Sequence, residues 1–235
     1  STANSSNSFH RNSGAAGTQT AALTFGGRPS PGPGAATESY NGTNWTEVND
    51  LNQARHYFAG AGTQTAALGF GGYNGGTLYA LTETWNGTNW TEVNDMNTAR
   101  GRVSGTGATN TAALALGGYP APLTALVETW NGTNWTAVNN LGTARYSGAA
   151  SGTNTAALMI GGTIAGSGIT AVTELWNGTN WTEVNDLNTA RKYLAGCGTQ
   201  TAAIVFGSGG SPKAITELWN GTNWTETSDM LNGRE

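Results

Sequence analysis

Short apolar runs alternate with stretches rich in Gly, Asn and Thr along the whole chain, and this pattern returns every 43 to 46 residues. Two phrases mark the period. Asn-Gly-Thr-Asn-Trp-Thr occurs five times, with its Trp at Trp45, Trp90, Trp135, Trp181 and Trp224. Thr-Ala-Ala followed by Leu or Ile also occurs five times, beginning at Thr20, Thr65, Thr111, Thr155 and Thr201. Such a period, with recurring turn signals, predicts a closed ring or a stacked array of repeats.

The second repeat shows which elements one period predicts. Four short segments have strand character and none has helical spacing: Tyr57–Gly62, Thr65–Phe70, Leu78–Trp85 and Trp90–Asn94. The turn over residues 86–89 contains Asn-Gly, which supplies the positive φ of a tight hairpin and predicts antiparallel pairing. We expect a loop over residues 73–77.

The first two strands of each repeat predict how the sheets pack. The first strand consists of small residues, as in 59–62, which suits an innermost strand where backbones lie close together. In the second strand Ala66, Leu68 and Phe70 fall on one face, and Ala67 and Gly69 on the other. We therefore expect the large face of one sheet to stack on the small face of the next.

Four antiparallel strands repeated radially describe an all-β fold, a five-bladed β-propeller with four-stranded antiparallel blades. A helical solenoid fails because no segment has a 3.6-residue period. A parallel β-helix is the remaining alternative, although its rungs are usually shorter and the Asn-Gly hairpins favour antiparallel pairing. We assign residues 1–235 to one propeller, with repeats at about 10–54, 55–99, 100–144, 145–190 and 191–235. Residues 229–234 match 50–55, so we expect the fifth blade to pack directly on the first.

Arg55, the Gly71-Gly72 pair, Trp85 and Trp90 resemble the kelch repeat, which has an Arg where each blade begins, a double Gly after the second strand and two spaced aromatic residues. The resemblance covers nearly the whole chain and implies a propeller. The predicted structural framework consists of Trp45, Trp85, Trp90, Trp130, Trp135, Trp176, Trp181, Trp219, Trp224, Arg55, Arg100, Arg145, Arg191 and Arg234.

The first and last repeats depart from the kelch pattern. His10 stands where the first repeat would carry its Arg, and Ser208-Gly209 interrupts the double Gly of the last. A Glu also recurs two residues before the first aromatic of each pair, at Glu38, Glu83, Glu128, Glu174 and Glu217. It matches the framework Arg in number, which predicts a repeated structural ion pair rather than paired catalytic acids, because every blade carries it.

The repeats agree in some connections and differ in others. The first-to-second and third-to-fourth connections are almost constant, whereas the second-to-third connections and the residues after the framework Arg vary. In a propeller these two sets lie on opposite faces. We name the varying set the variable face. It comprises residues 28–34, 73–76, 119–122, 163–168 and 211–213, with 56–58, 101–103, 146–147 and 192–194, and we count Arg11 and Tyr79 with it. Random drift of loops is the alternative explanation, but drift alone would vary all connections.

Tyrosine and basic residues are concentrated on the variable face. It carries six of the seven Tyr and all the basic residues outside the framework, including Arg11. Tyr and Arg on loops rich in Gly, Pro and Ser are typical of recognition surfaces. The predicted ligand-binding residues are Tyr57, Tyr73, Tyr79, Tyr119, Tyr146, Tyr193, His56, Arg28, Arg102, Lys192 and Lys213.

Composition argues against several classes of protein. Charged residues make up 10% of the chain and the net charge is −4, which disfavours nucleic-acid binding. The sequence contains no membrane-spanning stretch. His10 and His56 are the only histidines and lack metal-ligand spacing, and the only cysteine, Cys197, is expected to be a packed thiol. We predict a non-enzymatic protein with no cofactor and no metal.

The phrase over residues 176–191, Trp-Asn-Gly-Thr-Asn-Trp-Thr-Glu-Val-Asn-Asp-Leu-Asn-Thr-Ala-Arg, is similar to kelch-type repeat proteins of marine tailed bacteriophages. That resemblance implies a virion-surface or extracellular location. We predict a binding module for a host glycan or protein, with no nucleic-acid partner and no membrane insertion. The alternative is a structural or decoration domain of a phage particle or filament, with mainly self-assembly contacts. A consensus-designed propeller is disfavoured because its loops would be alike.

Overall fold

The computed structural model describes residues 11–29, 32–119, 122–209 and 214–233. These residues form five four-stranded antiparallel sheets, which are the blades of an all-β, five-bladed β-propeller fold. In each blade the four strands are hydrogen-bonded in chain order, and a small hairpin is inserted in the second blade. The fold class predicted from the repeat pattern is confirmed.

The strands are short, and most have four residues. Blade 1 contains β1 (Gly14–Gly17), β2 (Ala22–Phe25), β3 (Thr37–Tyr40) and β4 (Trp45–Val48). Blade 2 contains β5 (Ala59–Gly62), β6 (Ala67–Phe70), β9 (Thr82–Trp85) and β10 (Trp90–Val93), with β7 (Tyr73–Asn74) and β8 (Thr77–Leu78) as the inserted hairpin. Blade 3 contains β11 (Ser104–Thr109), β12 (Ala112–Leu116), β13 (Val127–Trp130) and β14 (Trp135–Val138).

The last two blades follow the same order. Blade 4 contains β15 (Ala149–Gly152), β16 (Ala157–Thr163), β17 (Ile169–Trp176) and β18 (Trp181–Val184), with a short 3-10 turn over Ala165–Ser167. Blade 5 contains β19 (Ala195–Gly198), β20 (Ala203–Phe206), β21 (Thr216–Trp219) and β22 (Trp224–Thr227). Blade 4 has the longest central strands, whose pairing shifts register between Ile160 and Gly162.

The chain divides into two compact units. The first comprises the described residues of Ser1–Val103, together with Gly107–Ala115 and Glu128–Thr136. The second comprises the described residues of Ser104–Thr106, Leu116–Val127 and Ala137–Glu235. Two expectations stay predictions: that residues 1–235 form a single domain, and that the fifth blade packs directly on the first. Residues 1–10 and 234–235 lie outside the described residues.

The first unit confirms that a large face stacks on a small one. Phe25 of blade 1 is fully buried and lies in one cluster with Ala67 and Trp90 of blade 2. The Phe25 and Trp90 ring centroids are 4.7 Å apart. A methyl group at Gly69 would lie 3.1 Å from the Phe25 ring, so this small face leaves room for the neighbouring aromatic side chain and little more.

The two aromatic residues that flank each third-to-fourth hairpin pack against each other. The ring centroids are 5.1 to 5.5 Å apart in all five blades. In blades 2, 3 and 5 the second Trp of the pair also donates its indole N–H to a buried Thr hydroxyl of the preceding blade. Trp90 donates to Thr37 at 3.1 Å, and Trp135 to Thr82 at 2.9 Å. These bonds tie the outer strand of one blade to the third strand of the blade before it.

The repeated ion pair is also confirmed in the described residues. Arg55 contacts Glu83, and the equivalent pairs are Arg100–Glu128 at 2.8 Å, Arg145–Glu174 at 2.8 Å and Arg191–Glu217 at 2.7 Å. All eight side chains are at most 3% exposed. Burial lowers the pKa of Arg100, Arg145 and Arg191, and the paired glutamates oppose that shift. Each pair stabilises its blade, because removal of one partner would leave the other charge buried without a counter-charge.

Two sequence predictions about blade 2 are wrong in detail. The expected strand over 78–85 is divided, since Leu78 ends β8 and the third strand begins only at Thr82. The expected loop over 73–77 is the β7–β8 hairpin, with Tyr73 opposite Leu78. Its turn, Gly75-Gly76, has φ of 57° and 125°, and this tight reversal lets two residues on each side pair.

Candidate functional site

The second residue after the framework Arg position has a left-handed backbone in every blade. Five non-glycine residues take a φ between 53° and 58° there: Asn12, Tyr57, Arg102, Ser147 and Tyr193. This conformation is uncommon for such side chains and costs of order 1 kcal/mol each. Its recurrence means that the fold imposes the conformation, whatever side chain the blade carries.

Backbone hydrogen bonds hold these left-handed residues in place. The amide of Tyr57 donates to the carbonyl of Asn12 at 2.9 Å, and the amide of Arg102 donates to the carbonyl of Tyr57 at 2.6 Å. In the second unit the amide of Tyr193 donates to the carbonyl of Ser147 at 2.8 Å. Because only main-chain atoms take part, the side chain at this position can change without loss of the bond.

The residue before each left-handed position pairs with the start of the second-to-third connection. His56 forms an antiparallel bridge with Tyr73, and Tyr146 forms one with Thr163. In blade 1 the amide of Arg28 donates to the carbonyl of Arg11 at 2.7 Å. The two variable segments of a blade therefore lie side by side, which confirms that they share one end of the sheet.

Blades 1 to 3 bring five of the predicted ligand-binding residues together in the first unit. The His56 ring lies 4.7 Å from the Tyr57 ring and 5.4 Å from the Tyr73 ring, centroid to centroid. The Arg102 guanidinium lies over the Tyr57 ring at 4.6 Å. Arg28 is exposed and close enough for its charge to act on His56. We name Arg28, His56, Tyr57, Tyr73 and Arg102 the basic–aromatic cluster.

His56 lies at the centre of this cluster and is 3% exposed. Burial is the main cause of its lowered pKa, and the charges of Arg28 and Arg102 lower the pKa further. The free protein therefore holds the imidazole neutral at pH 7. Its Nδ1 atom is buried and has no hydrogen-bond partner among the described residues. A buried polar atom without a partner is unusual and points to strain or to a missing ligand.

The second unit holds a smaller aromatic group. The Tyr119 and Tyr146 rings meet edge to face at 6.1 Å, and Tyr119 is 42% exposed. The Lys192 ammonium lies 5.7 Å from the centre of the Tyr193 ring. Ile169, at the start of β17, is 48% exposed. Apolar surface is thus available at this end of the blades as well.

Two predicted binding residues are not placed with these groups. Tyr79 is half-buried, and its backbone amide and carbonyl bond to Gly72 and Arg100. No ring contact joins Tyr79 to the basic–aromatic cluster in the described residues. Lys213, like the framework Arg234 and His10 of the first repeat, lies outside the described residues.

The constant connections join neighbouring blades through side chains. The Nδ2 of Asn49, which follows β4, donates to Thr88 O at 3.0 Å and Asn89 Oδ1 at 2.8 Å in the next blade's hairpin. Asn94, Asn139 and Asn185 make the same pair of bonds to the following hairpins. Within each hairpin the first Asn accepts two backbone amides. This geometry gives a structural reason for the constancy of Asn-Gly-Thr-Asn.

The basic residues outside the framework are confined to the variable-face segments. None of the 14 acidic residues of the sequence lies in the variable-face segments, which carry every basic residue outside the framework. The described residues place no group of three His, Cys, Asp or Glu side chains that could hold a metal ion. Cys197 is exposed on β19, so the expectation of a packed thiol is wrong. In β19 the strand around it, Ala195–Gly198, is itself largely exposed.

Sequence reasoning missed the left-handed position, because Tyr, Arg and Ser carry no signal for positive φ. It also missed the burial of His56, which depends on the β7–β8 hairpin folding beside it. The chain matches no protein-family model, and no curated protein is significantly similar to it. Among the described residues, no helix has the length and apolar character needed to cross a membrane.

Proposed function

We propose that this protein is a non-enzymatic recognition domain that binds a cell-surface glycan or protein through its variable face. The observation that carries the proposal is the contrast between two kinds of contact from blade to blade. The constant third-to-fourth hairpins are held by the side chains of Asn49, Asn94, Asn139 and Asn185 from the preceding blade, whereas the left-handed residues join blades through backbone atoms. Side chains on the variable face can therefore diversify without loss of these bonds.

The residues at the variable face have the chemistry of a binding surface. Tyr and Arg are the side chains most enriched at binding hot spots, because each combines apolar area with hydrogen-bonding capacity. Tyr119 is exposed, and the rings of Tyr57 and Tyr73 are half-buried against their neighbours, which restrains their orientation. Several unequal groups of this kind would support multivalent binding, weak at each site and stronger together.

The proposed location and biological role of the domain follow from the resemblance of the repeats to kelch-type proteins of marine tailed bacteriophages. On that resemblance we place the domain on a virion surface or in an extracellular setting, with host recognition as its role. The buried Arg–Glu pairs serve the blade framework in this proposal and not catalysis, because four blades carry the same pair in the same surroundings. No cofactor or metal enters the proposal.

A glycan array that includes bacterial surface polysaccharides tests the proposal. The matched variant carries the Tyr73–Gly76 segment of blade 2 in place of the second-to-third connection of every other blade. We expect the natural chain to bind and the grafted chain to lose binding. Retained binding in the grafted chain would exclude the replaced second-to-third connections and leave the site to residues that the graft does not change. Absence of binding by either chain would contradict the glycan form of the proposal and favour a protein receptor or an assembly role.

A further inference from the structure

We propose that the basic–aromatic cluster is a subsite for an acidic saccharide, that is, a sugar ring carrying a carboxylate or sulfate group. This inference rests on the proposed function, since it names the ligand chemistry at one part of the variable face. The cluster combines two guanidinium groups, two phenol rings and one buried imidazole within the first unit. The guanidinium groups can bind the anionic substituent of such a sugar, and the aromatic rings can pack against its C–H groups.

The geometry of the rings suits a sugar. The Tyr73 and His56 planes are nearly perpendicular, at 88°, and the Tyr57 plane is inclined to His56 by 49°. Tyr57 and Tyr73 are only half-buried around the buried imidazole, so aromatic surface is accessible against which the C–H faces of a sugar ring can pack. Arg102 lies over the Tyr57 ring, and this stacking holds the guanidinium plane at a defined place beside the aromatic surface.

The charges of the cluster favour an anion. The protein as a whole is acidic, with a net charge of −4, but its variable-face segments contain no Asp or Glu. Arg28 and Arg102 come from different blades, and both act on the same imidazole. Guanidinium groups bind carboxylate and sulfate oxygens through paired N–H donors, which is the strongest hydrogen-bonding arrangement available to a protein side chain. A local positive field of this kind attracts acidic ligands.

The orphaned nitrogen of His56 is an independent observation that points to a ligand. Its Nδ1 is buried and has no hydrogen-bond partner among the described residues. Burial and the two arginines disfavour a proton on the imidazole in the free protein. A bound acid would offset the charges of Arg28 and Arg102, so protonation of His56 would become easier in the complex. Binding should therefore strengthen as the pH falls from 7 toward the lowered pKa of His56.

Arg11 supplies a matched control. It is a basic residue of the variable face that belongs neither to the framework nor to the predicted ligand-binding residues. Its side chain is exposed, and its carbonyl accepts the Arg28 amide at 2.7 Å through backbone atoms alone. Removing the Arg11 charge therefore changes the net charge of the variable face without removing a group of the basic–aromatic cluster.

The test uses the full chain and three immobilised polymers: dextran sulfate, which carries only sulfate groups, polygalacturonate, which carries carboxylates, and neutral dextran. We expect binding to at least one acidic polymer and none to dextran. Arg28→Gln with Arg102→Gln should weaken that binding about 100-fold, since each charge-assisted contact contributes about 10-fold. Arg11→Gln should change it by less than about 3-fold. Binding to dextran sulfate and to polygalacturonate identifies sulfate and carboxylate recognition separately.

Other outcomes overturn the proposal. Equal losses in the Arg11→Gln variant and the double arginine variant would mean a diffuse charge effect, and equal binding to a single-stranded oligonucleotide would mean non-specific attraction of polyanions. If circular dichroism shows that the double variant is unfolded, Arg28→Gln alone is used for the test. Arg28 is exposed, so this substitution should leave the fold intact. Array binding to neutral glycans that is lost on loop grafting would refute the acidic subsite and leave the recognition proposal intact. Binding to no polymer and no array glycan would refute the acidic subsite and the glycan form of the recognition proposal.

Discussion

Replacing Val127 by Thr should stabilise this protein, although a Val-to-Thr change in a core normally destabilises. The indole N–H of Trp181 is buried and has no hydrogen-bond partner among the described residues. In the equivalent places Trp90, Trp135 and Trp224 donate to a Thr hydroxyl at 2.9 to 3.1 Å. The matching position in front of Trp181 is Val127, the fully buried first residue of β13. A Thr there would supply the missing acceptor.

The magnitude follows from the two opposing terms. A buried donor without a partner costs about 1–3 kcal/mol, and a made hydrogen bond contributes about 0.5–1.5 kcal/mol net. Placing a hydroxyl in the core offsets part of this gain. We expect Val127→Thr to raise the free energy of unfolding by about 0.5–1 kcal/mol. The reverse change in blade 2, Thr82→Val, should lower it by about 1–2 kcal/mol, because it leaves the Trp135 indole unpaired.

Urea unfolding followed by far-ultraviolet circular dichroism measures both variants, with the m-value checked for constancy. Trp181→Phe provides the control, because it removes the indole N–H. In that background Val127→Thr should destabilise, since the new hydroxyl would then lack a donor. A Val127→Thr variant that is less stable than the parent, or equally stabilising with and without Trp181, would refute this explanation of the orphaned indole.

Three further predictions concern the ion pair, the histidine and the blade-to-blade contacts. Glu83→Gln should cost about 3–5 kcal/mol in urea unfolding, because it leaves the Arg55 charge buried without its counter-charge; a loss below about 1 kcal/mol would contradict this. The lowered pKa of His56 means that the unfolded chain takes up the proton first, so stability should fall as the pH drops below about 6.5. His56→Gln should flatten that fall, with His10→Gln as the comparison, and equal slopes in parent and His56→Gln would refute it. Asn49→Ala should cost about 1 kcal/mol by loss of its two bonds to the next hairpin, measured as a shift of the urea midpoint.

The repeat made much of the fold predictable. The Asn-Gly hairpins, the paired aromatics and the alternation in 66–70 each depend on local spacing, and the structure confirms the strand count, the ring pairs and the stacking of large on small faces. The Glu–Arg pairs were also predictable, because two opposite charges recurring once per blade in an otherwise weakly charged chain imply mutual contact.

Other features of the candidate site could not be read from local pattern. The β7–β8 hairpin arises in a connection that looks like an ordinary glycine-rich loop, and its pairing depends on the His56–Tyr73 bridge from an earlier part of the chain. The exposure of Cys197 could not be predicted either. The equivalent small-residue strands β5 and β19 differ, since β5 is largely buried and β19 is largely exposed. Both outcomes depend on what packs against the segment.

The sequence by itself determined the repeat unit, the antiparallel four-stranded blade and the division into constant and variable connections. Hairpin chemistry and hydrophobic alternation act over a few residues, so one chain carries that information directly. Only the tertiary structure decided which variable residues meet. Arg28, His56 and Arg102 lie in three different blades, and a left-handed backbone held by hydrogen bonds between blades directs Tyr57 and Arg102 together. That arrangement depends on the packing of one blade on the next, which no single repeat contains.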